Sequence, residues 1–371
     1  MIIKPKLHIK VKEAQTAATD HIKPPLKDIR KLSLEELKAF FVEHGEKTFR
    51  GKQVYEWLWK KSVTDFEQMT NLPVSLRMLM ATHFTINPVT IAQEQISKDG
   101  TVKIGFRLYD GNLVEGVLIP TEDRMTACIS SQVGCSLTCK FCATGYMDRV
   151  RNLDPAEMYD QVVLIDRIAR LTYQMPLTNI VYMGMGEPML NYANVLKSTE
   201  LITSSEGLGM AAKRITVSTA GIAKMIKKLG DDGVKFNLAL SLHAANDVKR
   251  NQIMPINESN TLEALRDALK YFYQKTKNKV TFEYIVFNNF NDSLKDAEEL
   301  YRFCKHLPAK VNIIEYNPIA EAAFMNAEED KISKFAKYLE DRGIVVNIRR
   351  SRGKDIDAAC GQLAIKERKK E

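Results

Sequence analysis

Seven short apolar runs recur after residue 126, each set apart from the next by an amphipathic stretch, and this alternation limits the fold more than any other feature of the chain. The runs are "TACISSQ", "NIVYMGM", "RITVST", "FNLALSLH", "KVTFEYIVF", "KVNIIEYNP" and "IVVNIRR". Between them lie "DPAEMYDQVVLIDRIARL", "NVLKSTELITSS", "IAKMIKKLG", "LEALRDALKYFYQK", "LKDAEELYRFCKH" and "EEDKISKFAKYLEDRG". Asp154 and Pro155 sit as N-cap and first helical residue with Glu157 in the first turn, which fixes one helix start. Repeated strand–helix units of this length imply parallel strands with helices outside, as a doubly wound sheet or a complete or partial barrel. The unit repeats as structure, without a matching sequence repeat. In such architectures ligands gather at the C-terminal ends of the strands. Ser130, Glu187, Ser218, Ser241, His243 and Asn317 each fall at or just past a strand end. They are expected to converge on one mouth.

Upstream the pattern changes twice. Residues 1–26 are lysine-rich, carry Pro24-Pro25 and show no apolar period, so they are expected to be a basic flexible tail. Residues 27–86 read as a small helical accessory domain: Ser33 and Glu36 are spaced as a capping box before an apolar face, and Pro73 opens a later helix. Tyr55, Trp57 and Trp59 at helical spacing are expected in its core rather than on an RNA surface. Residues 87–120 hold two Asp-Gly turns, Asp99-Gly100 and Asp110-Gly111, between alternating apolar runs, a hairpin signal. The α/β core is then placed at 121–354 and a C-terminal segment at 355–371.

Three of the six cysteines crowd into "VGCSLTCKFCATGYM" as C-x3-C-x2-C, with no fourth cysteine or histidine nearby. No secretory leader and no apolar run long enough for a membrane are visible, so a cytoplasmic setting is expected and a disulfide framework is not. Metal binding or redox chemistry is the better expectation. Three thiolates on a four-iron cluster leave one iron open; a structural zinc site with a distant fourth ligand, His243 or Cys360, is the alternative. Lysine and arginine exceed aspartate and glutamate by 54 − 46 = 8, with a pI near 9.0. That surplus suits a polyanion such as nucleic acid.

"CSLTCKFC" resembles the C-x3-C-x-aromatic-C motif of the radical S-adenosylmethionine superfamily, with Phe141 in the aromatic place. "MGMGEPMLN", "VSTAG", "SLHA", "YNP" and "DIDAACGQLA" follow in the order seen in the bacterial dual-specificity RNA methyltransferases, and the resemblance spans residues 27–364. It implies an α/β fold: a partial (β/α)6-type radical-SAM barrel with an N-terminal small helical domain and a β-hairpin extension. It implies methylation of C2 of an adenine in 23S rRNA (peptidyl transferase centre) and in tRNA (anticodon loop). The cofactors implied are one 4Fe-4S cluster on Cys135, Cys139 and Cys142, and S-adenosylmethionine, two per turnover. Partners implied are both RNAs and an electron donor such as flavodoxin or ferredoxin, with the enzyme acting as a monomer.

The resemblance also implies roles. Gly186 and Glu187 meet the amino group of the cofactor's methionine, and Ser218, Ser241, Leu242, His243 and Asn317 are further cofactor contacts. Cys360 carries a methyl group that is added to the adenine, so protein and RNA are briefly joined. Cys128 helps release that crosslink and pairs with Cys360 in a transient disulfide. Glu115 stands at the place of a proposed general base, though whether it or Cys128 removes the C2 proton stays open.

Read on their own, these residues say less. Position 189 is Met, so "GMGEPM" is no dinucleotide fingerprint, and His243 alone reads as a hydrogen-bonded structural histidine. Arg349, Arg350 and Arg352 precede Cys360 and are expected to lower its pKa. Strand alternation gives Glu115 a face shared with Leu113, Val117 and Ile119, which raises a carboxyl's pKa; an exposed edge glutamate is the alternative. Cys128 reads equally as a packed strand cysteine, and Cys304 as structural. "NIRRSRGK" and "KERKK" are candidate phosphate contacts. Two rivals remain: a C8-adenine methyltransferase of the same family conferring antibiotic resistance, disfavoured by the proline after Glu187, and a non-catalytic zinc-containing RNA-binding or ribosome-assembly protein.

Overall fold

The computed structural model describes residues 26–365. Apart from Leu26, the tail expected over 1–26 lies outside the described residues, as does the "KERKK" cluster.

The first three helices are α1 (Leu34–Glu43), α2 (Phe49–Trp59) and α3 (Val74–His83). α1 starts at the capping box: the Ser33 hydroxyl accepts from the Glu36 N–H at 3.2 Å and the Glu36 carboxylate from the Ser33 N–H at 2.7 Å. Four orphan N–H groups at a helix start make such reciprocal bonds stabilising. Trp59 is buried, as its spacing suggested, and meets the Tyr159 ring edge-on at 5.2 Å. The Tyr159 hydroxyl donates to the Trp59 carbonyl.

The main sheet has ten strands among the described residues: β1 (Thr90–Ile96), β2 (Val102–Arg107), β3 (Leu113–Thr121), β4 (Arg124–Cys128), β5 (Asn179–Tyr182), β6 (Ile215–Thr219), β7 (Asn237–Ser241), β8 (Val280–Ile285), β9 (Ala309–Ile314) and β10 (Val345–Arg349). They form one open sheet in which spatial order is chain order. From β4 to β10 every neighbour is parallel, while β1 to β4 run antiparallel. Both expected Asp-Gly turns are made, with Gly100 at φ +85° and Gly111 at φ +82°, where a side chain would strain the backbone. The hairpin extension is thus a three-stranded meander that prolongs the main sheet through β3 and β4.

Helices cross between the parallel strands: α4 (Pro155–Tyr173), α5 (Tyr192–Thr203), α6 (Ala223–Asp231), α7 (Asp247–Ile253), α8 (Leu262–Thr276), α9 (Leu294–Cys304) and α10 (Glu329–Glu340). Six strand–helix units and a closing seventh strand make the partial (β/α)6 barrel that the resemblance implied. β8 is buried at all six positions because helices cover one face and the barrel interior the other. Cys304 is fully buried on α9, a packing residue as expected. The parallel strands all point their C-terminal ends the same way, and the loops there carry the polar residues.

Candidate active site

A cleft of about 970 Å³ opens beyond those strand ends. Its walls bring together Cys135, Cys139 and Cys142 from the loop after β4, Gly186 and Glu187 after β5, Ser218 on β6, Ser241 and His243 at the end of β7, and Cys360. Ser130, Leu242, Asn317, Cys128 and Glu115 do not line it. Ser130 is fully buried; its hydroxyl donates to the Glu115 carbonyl at 2.6 Å and accepts from the Met185 N–H at 2.8 Å. Its place past β4 therefore serves to join β3 to the turn after β5, which corrects its expected place at the mouth.

The cysteine loop is held tightly. Cys142 N–H donates to the Cys139 carbonyl at 3.2 Å, Gly145 N–H to the Cys142 carbonyl at 2.9 Å, and Lys140 N–H to the Ile253 carbonyl at 3.0 Å. A Cβ on Gly145 would stand 2.7 Å from the Cys139 carbonyl oxygen, so only glycine fits there. The thiols rest against Leu137, Phe141, Ala220, Ile253 and Met254. Burial in this apolar bed pushes all three up, Cys135 to about 11. Binding to a Lewis acid is what reverses such a shift. Among the described residues no three His, Cys, Asp or Glu side chains converge as one metal ion would require. Three thiols on one wall of the cleft are the kind of donor set that an iron–sulfur cluster takes.

Around them the polar groups are ordered. Gly186 has φ +93°, and a Cβ there would lie 2.4 Å from Gln132 Cβ; Gln132 meanwhile accepts from the Glu187 N–H at 2.8 Å. The Glu187 carboxylate is buried and accepts from the Ala220 N–H at 2.7 Å and the Met189 N–H at 3.1 Å. Burial raises its pKa, and those hydrogen bonds pull the other way. His243 takes a left-handed φ of 55°, and its Nδ1 accepts from the Ile285 N–H at 3.1 Å. The proton therefore sits on Nε2. Burial, then the Arg250 charge, lowers His243 to about 3, so the imidazole is neutral. The structural reading of His243 and its place on the cleft wall both hold. Ser218 donates to the Tyr182 carbonyl at 2.7 Å. Leu242 is buried in the core, its N–H donating to the Glu283 carbonyl at 3.0 Å.

Cys360 reaches the cleft because the C-terminal segment is strapped to the cysteine loop. Ala143 N–H donates to the Gly361 carbonyl at 2.7 Å and Thr144 Oγ1 to the Leu363 carbonyl at 2.6 Å. Asn317 Nδ2 donates to the Cys360 carbonyl at 3.2 Å, while its buried Oδ1 has no partner. Cys360 is exposed at the cleft; of the three arginines only Arg349 acts to lower its pKa, and it works against desolvation by the cleft walls, which raises it. Arg350 turns to Glu329 and Arg352 to the Asp99 carbonyl at 2.6 Å. Proximity in sequence overstated the charge at the thiol. Cys128 is buried beside the Met183 N–H and within electrostatic reach of Cys360 and Arg349. Both are free thiols, so the implied disulfide is not made here. Glu115 is ion-paired with Lys103 at 2.9 Å rather than set among apolar neighbours, and Lys103 also donates to the Asp357 carbonyl at 3.2 Å.

Sequence reasoning passed over two wall residues. Glu283 on β8 is buried, with one oxygen accepting from Asn312 at 2.8 Å and the other 3.6 Å from Arg349. A carboxylate inside the apolar run "KVTFEYIVF" was the available signal. Thr144, which anchors the strap, gave none.

An open parallel barrel with three thiols on a loop at its mouth defines the radical SAM class, and a model of the Radical SAM superfamily matches residues 129–304. A radical SAM methyltransferase from Sphaerobacter thermophilus superposes with a TM-score of 0.86 at 40% identity, covering 91% of this chain and 99% of that one. A second model, the Ribosomal RNA large subunit methyltransferase N-terminal domain, matches residues 27–86. The dual-specificity RNA methyltransferase RlmN of Cytophaga hutchinsonii is 68% identical over 95% of this chain and 96% of its own. That of Flavobacterium psychrophilum is 57% identical over 92% and 98%. The chain belongs to the RlmN family of dual-specificity RNA methyltransferases.

Proposed function

We propose that this protein methylates C2 of a specific adenine in 23S rRNA, at the peptidyl transferase centre, and in tRNA, in the anticodon loop. One observation carries the reading: the strap that holds Cys360 in the same cleft as Cys135, Cys139 and Cys142. Those three cysteines would hold a 4Fe-4S cluster, which supplies the electron that splits S-adenosylmethionine into a radical.

The chain's own groups do the rest. Gly186 lets a ligand approach the main chain, and Glu187 accepts from the cofactor's ammonium group. Ser218, Ser241 and the Nε2–H of His243 on the cleft wall hold its remaining polar atoms, with Leu242 and Asn317 behind them: Leu242 ties the end of its strand to Glu283 and Arg250, and Asn317 holds the Cys360 carbonyl. Cys360 accepts a methyl group and passes on its carbon. Adenine C2 is electron-poor and a weak nucleophile, so a covalent relay divides one hard step into easier ones. Cys128, beside Cys360, serves the release. Burial keeps Cys128 protonated at neutral pH, which favours Glu115 as acceptor of the C2 proton.

The alignment of RNA adenines in this cleft requires a base drawn out of its stack. A flavodoxin or ferredoxin as electron donor, a monomeric enzyme and a cytoplasmic setting complete the proposal; no helix among the described residues is long and apolar enough to cross a membrane. The test is anaerobic incubation with RNA and methyl-labelled cofactor, followed by mass spectrometry of the adenosine. Wild type should give the C2 product and Cys360→Ala none. Label at C8 alone, or an active Cys360→Ala, would overturn the reading.

A further inference from the structure

Arg250 is the largest fully buried side chain among the described residues, and it lies behind the wall of the cleft. Its Nε donates to the Leu242 carbonyl at 3.0 Å, and its Nη2 to the Ala220 and Ser241 carbonyls at 2.6 and 3.1 Å. Nη1 donates to Asn257 Oδ1 at 2.7 Å. Every acceptor is neutral. Asp247 is reached only through Asn257, and its Oδ1 is taken up by Asn257 at 2.8 Å and by the Leu262 N–H at 2.9 Å. A guanidinium without an anion in the interior costs several kcal/mol, and burial lowers this one to about 10, which still leaves it charged at neutral pH. A fold keeps such a charge where an opposite one completes it.

Asp247 acts on the guanidinium from a distance, without a hydrogen bond to it, and the other negative charge within reach lies on the side of the cysteine loop. Arg250 stands one turn before Ile253 on α7, and Ile253 accepts from the Lys140 N–H at 3.0 Å, next to Cys139. Ile253, Met254 and Ala220 form the bed on which Cys135, Cys139 and Cys142 rest. The charge of a Cys139 thiolate would act directly on the guanidinium. A cluster ligated by thiolates is a buried negative body, and its potential follows nearby charge and solvent access.

We infer that Arg250 is a positioning residue that counters the negative charge of the cluster held by Cys135, Cys139 and Cys142 and raises its reduction potential. This rests on the cluster proposed above. Reduction adds an electron to that body, so a fixed cation 250 − 139 = 111 residues from Cys139 along the chain but adjacent in space makes the electron easier to accept. The same fork ties the end of β6 to the end of β7, which a purely structural clamp would also do; the potential separates the two roles.

The experiment compares wild type, Arg250→Gln and Arg250→Lys after anaerobic reconstitution, with iron and sulfide content and a potentiometric titration followed by electron paramagnetic resonance. Gln keeps a donor and loses the charge; Lys keeps the charge and loses the fork. Arg250→Gln should shift the reduction equilibrium about tenfold against the electron, ~59 mV for a one-electron couple, and Arg250→Lys should stay within twofold of wild type. An unshifted Gln variant would overturn the inference, and so would a Lys variant shifted by as much as tenfold, which remains readable if Gln fails to load. Wild type that assembles no cluster would instead sink the reading of the site itself.

Discussion

Two buried arginines in two regions of this molecule are treated in opposite ways. Arg30, where the helical segment meets the barrel, pairs with Asp28 at 3.0 Å and Asp160 at 2.8 Å. Those carboxylates raise its pKa against the effect of burial. Arg250, behind the cleft, is more deeply buried and is met only by carbonyls and one amide. At the interface the chain balances its own charge, as a scaffold must. At the cleft it leaves a charge for something else to balance. Incomplete electrostatics mark the working part of the fold more sharply than any single motif.

The largest test of that contrast removes Arg30. Arg30→Met strands the buried carboxylate of Asp28 and the partly buried one of Asp160 and should cost ~3–5 kcal/mol in chemical or thermal denaturation. Burial pushes the Asp160 carboxyl up and Arg30 pulls it down, so the variant's Asp160 should titrate higher. A raised folded-state pKa gives stability that is present at low pH and lost as pH rises. The deficit should therefore shrink between pH 7 and pH 5, and a pH-independent deficit would show that lost packing, not charge, is what matters.

A medium effect is expected from a group that the cleft keeps neutral. His243 falls to about 3 in the fold against about 6.5 in an open chain. Its contribution is present above pH ~6.5 and is lost as pH falls toward 3, at about 1.4 kcal/mol per pH unit. His243→Gln keeps an acceptor for the Ile285 N–H and should flatten the stability curve over that window by one proton. An unchanged slope would place the proton elsewhere. The smallest effect belongs to Arg350, whose pair with Glu329 is solvent-exposed at 57% and 73%. Arg350→Gln should change stability by no more than about 0.5 kcal/mol, and a larger loss would contradict the division between surface and interior charge.

The strand–helix order was legible because buried parallel strands are nearly unbroken apolar runs and their helices carry clear faces and caps. The short helix α7 was not. In "NDVKRNQI" charged and polar residues fall on every side, and only the fold shows that Arg250 points inward. The cysteine spacing was legible as well. The charge on Cys360 was misjudged, because its three neighbouring arginines part company in space: Arg349 faces the thiol while Arg350 and Arg352 leave for Glu329 and Asp99. Glu115 was placed on the right strand, yet its partner Lys103 sits one strand away, and strand alternation alone does not supply cross-strand neighbours.

The strap between Thr144 and Leu363 joins positions 219 residues apart. A ribosome making this protein therefore releases the loop with Cys135, Cys139 and Cys142, and most of the barrel, long before Cys360 exists. The scaffold can therefore fold before the strap closes, and the wall of the cleft that carries Cys360 is the last to be laid down.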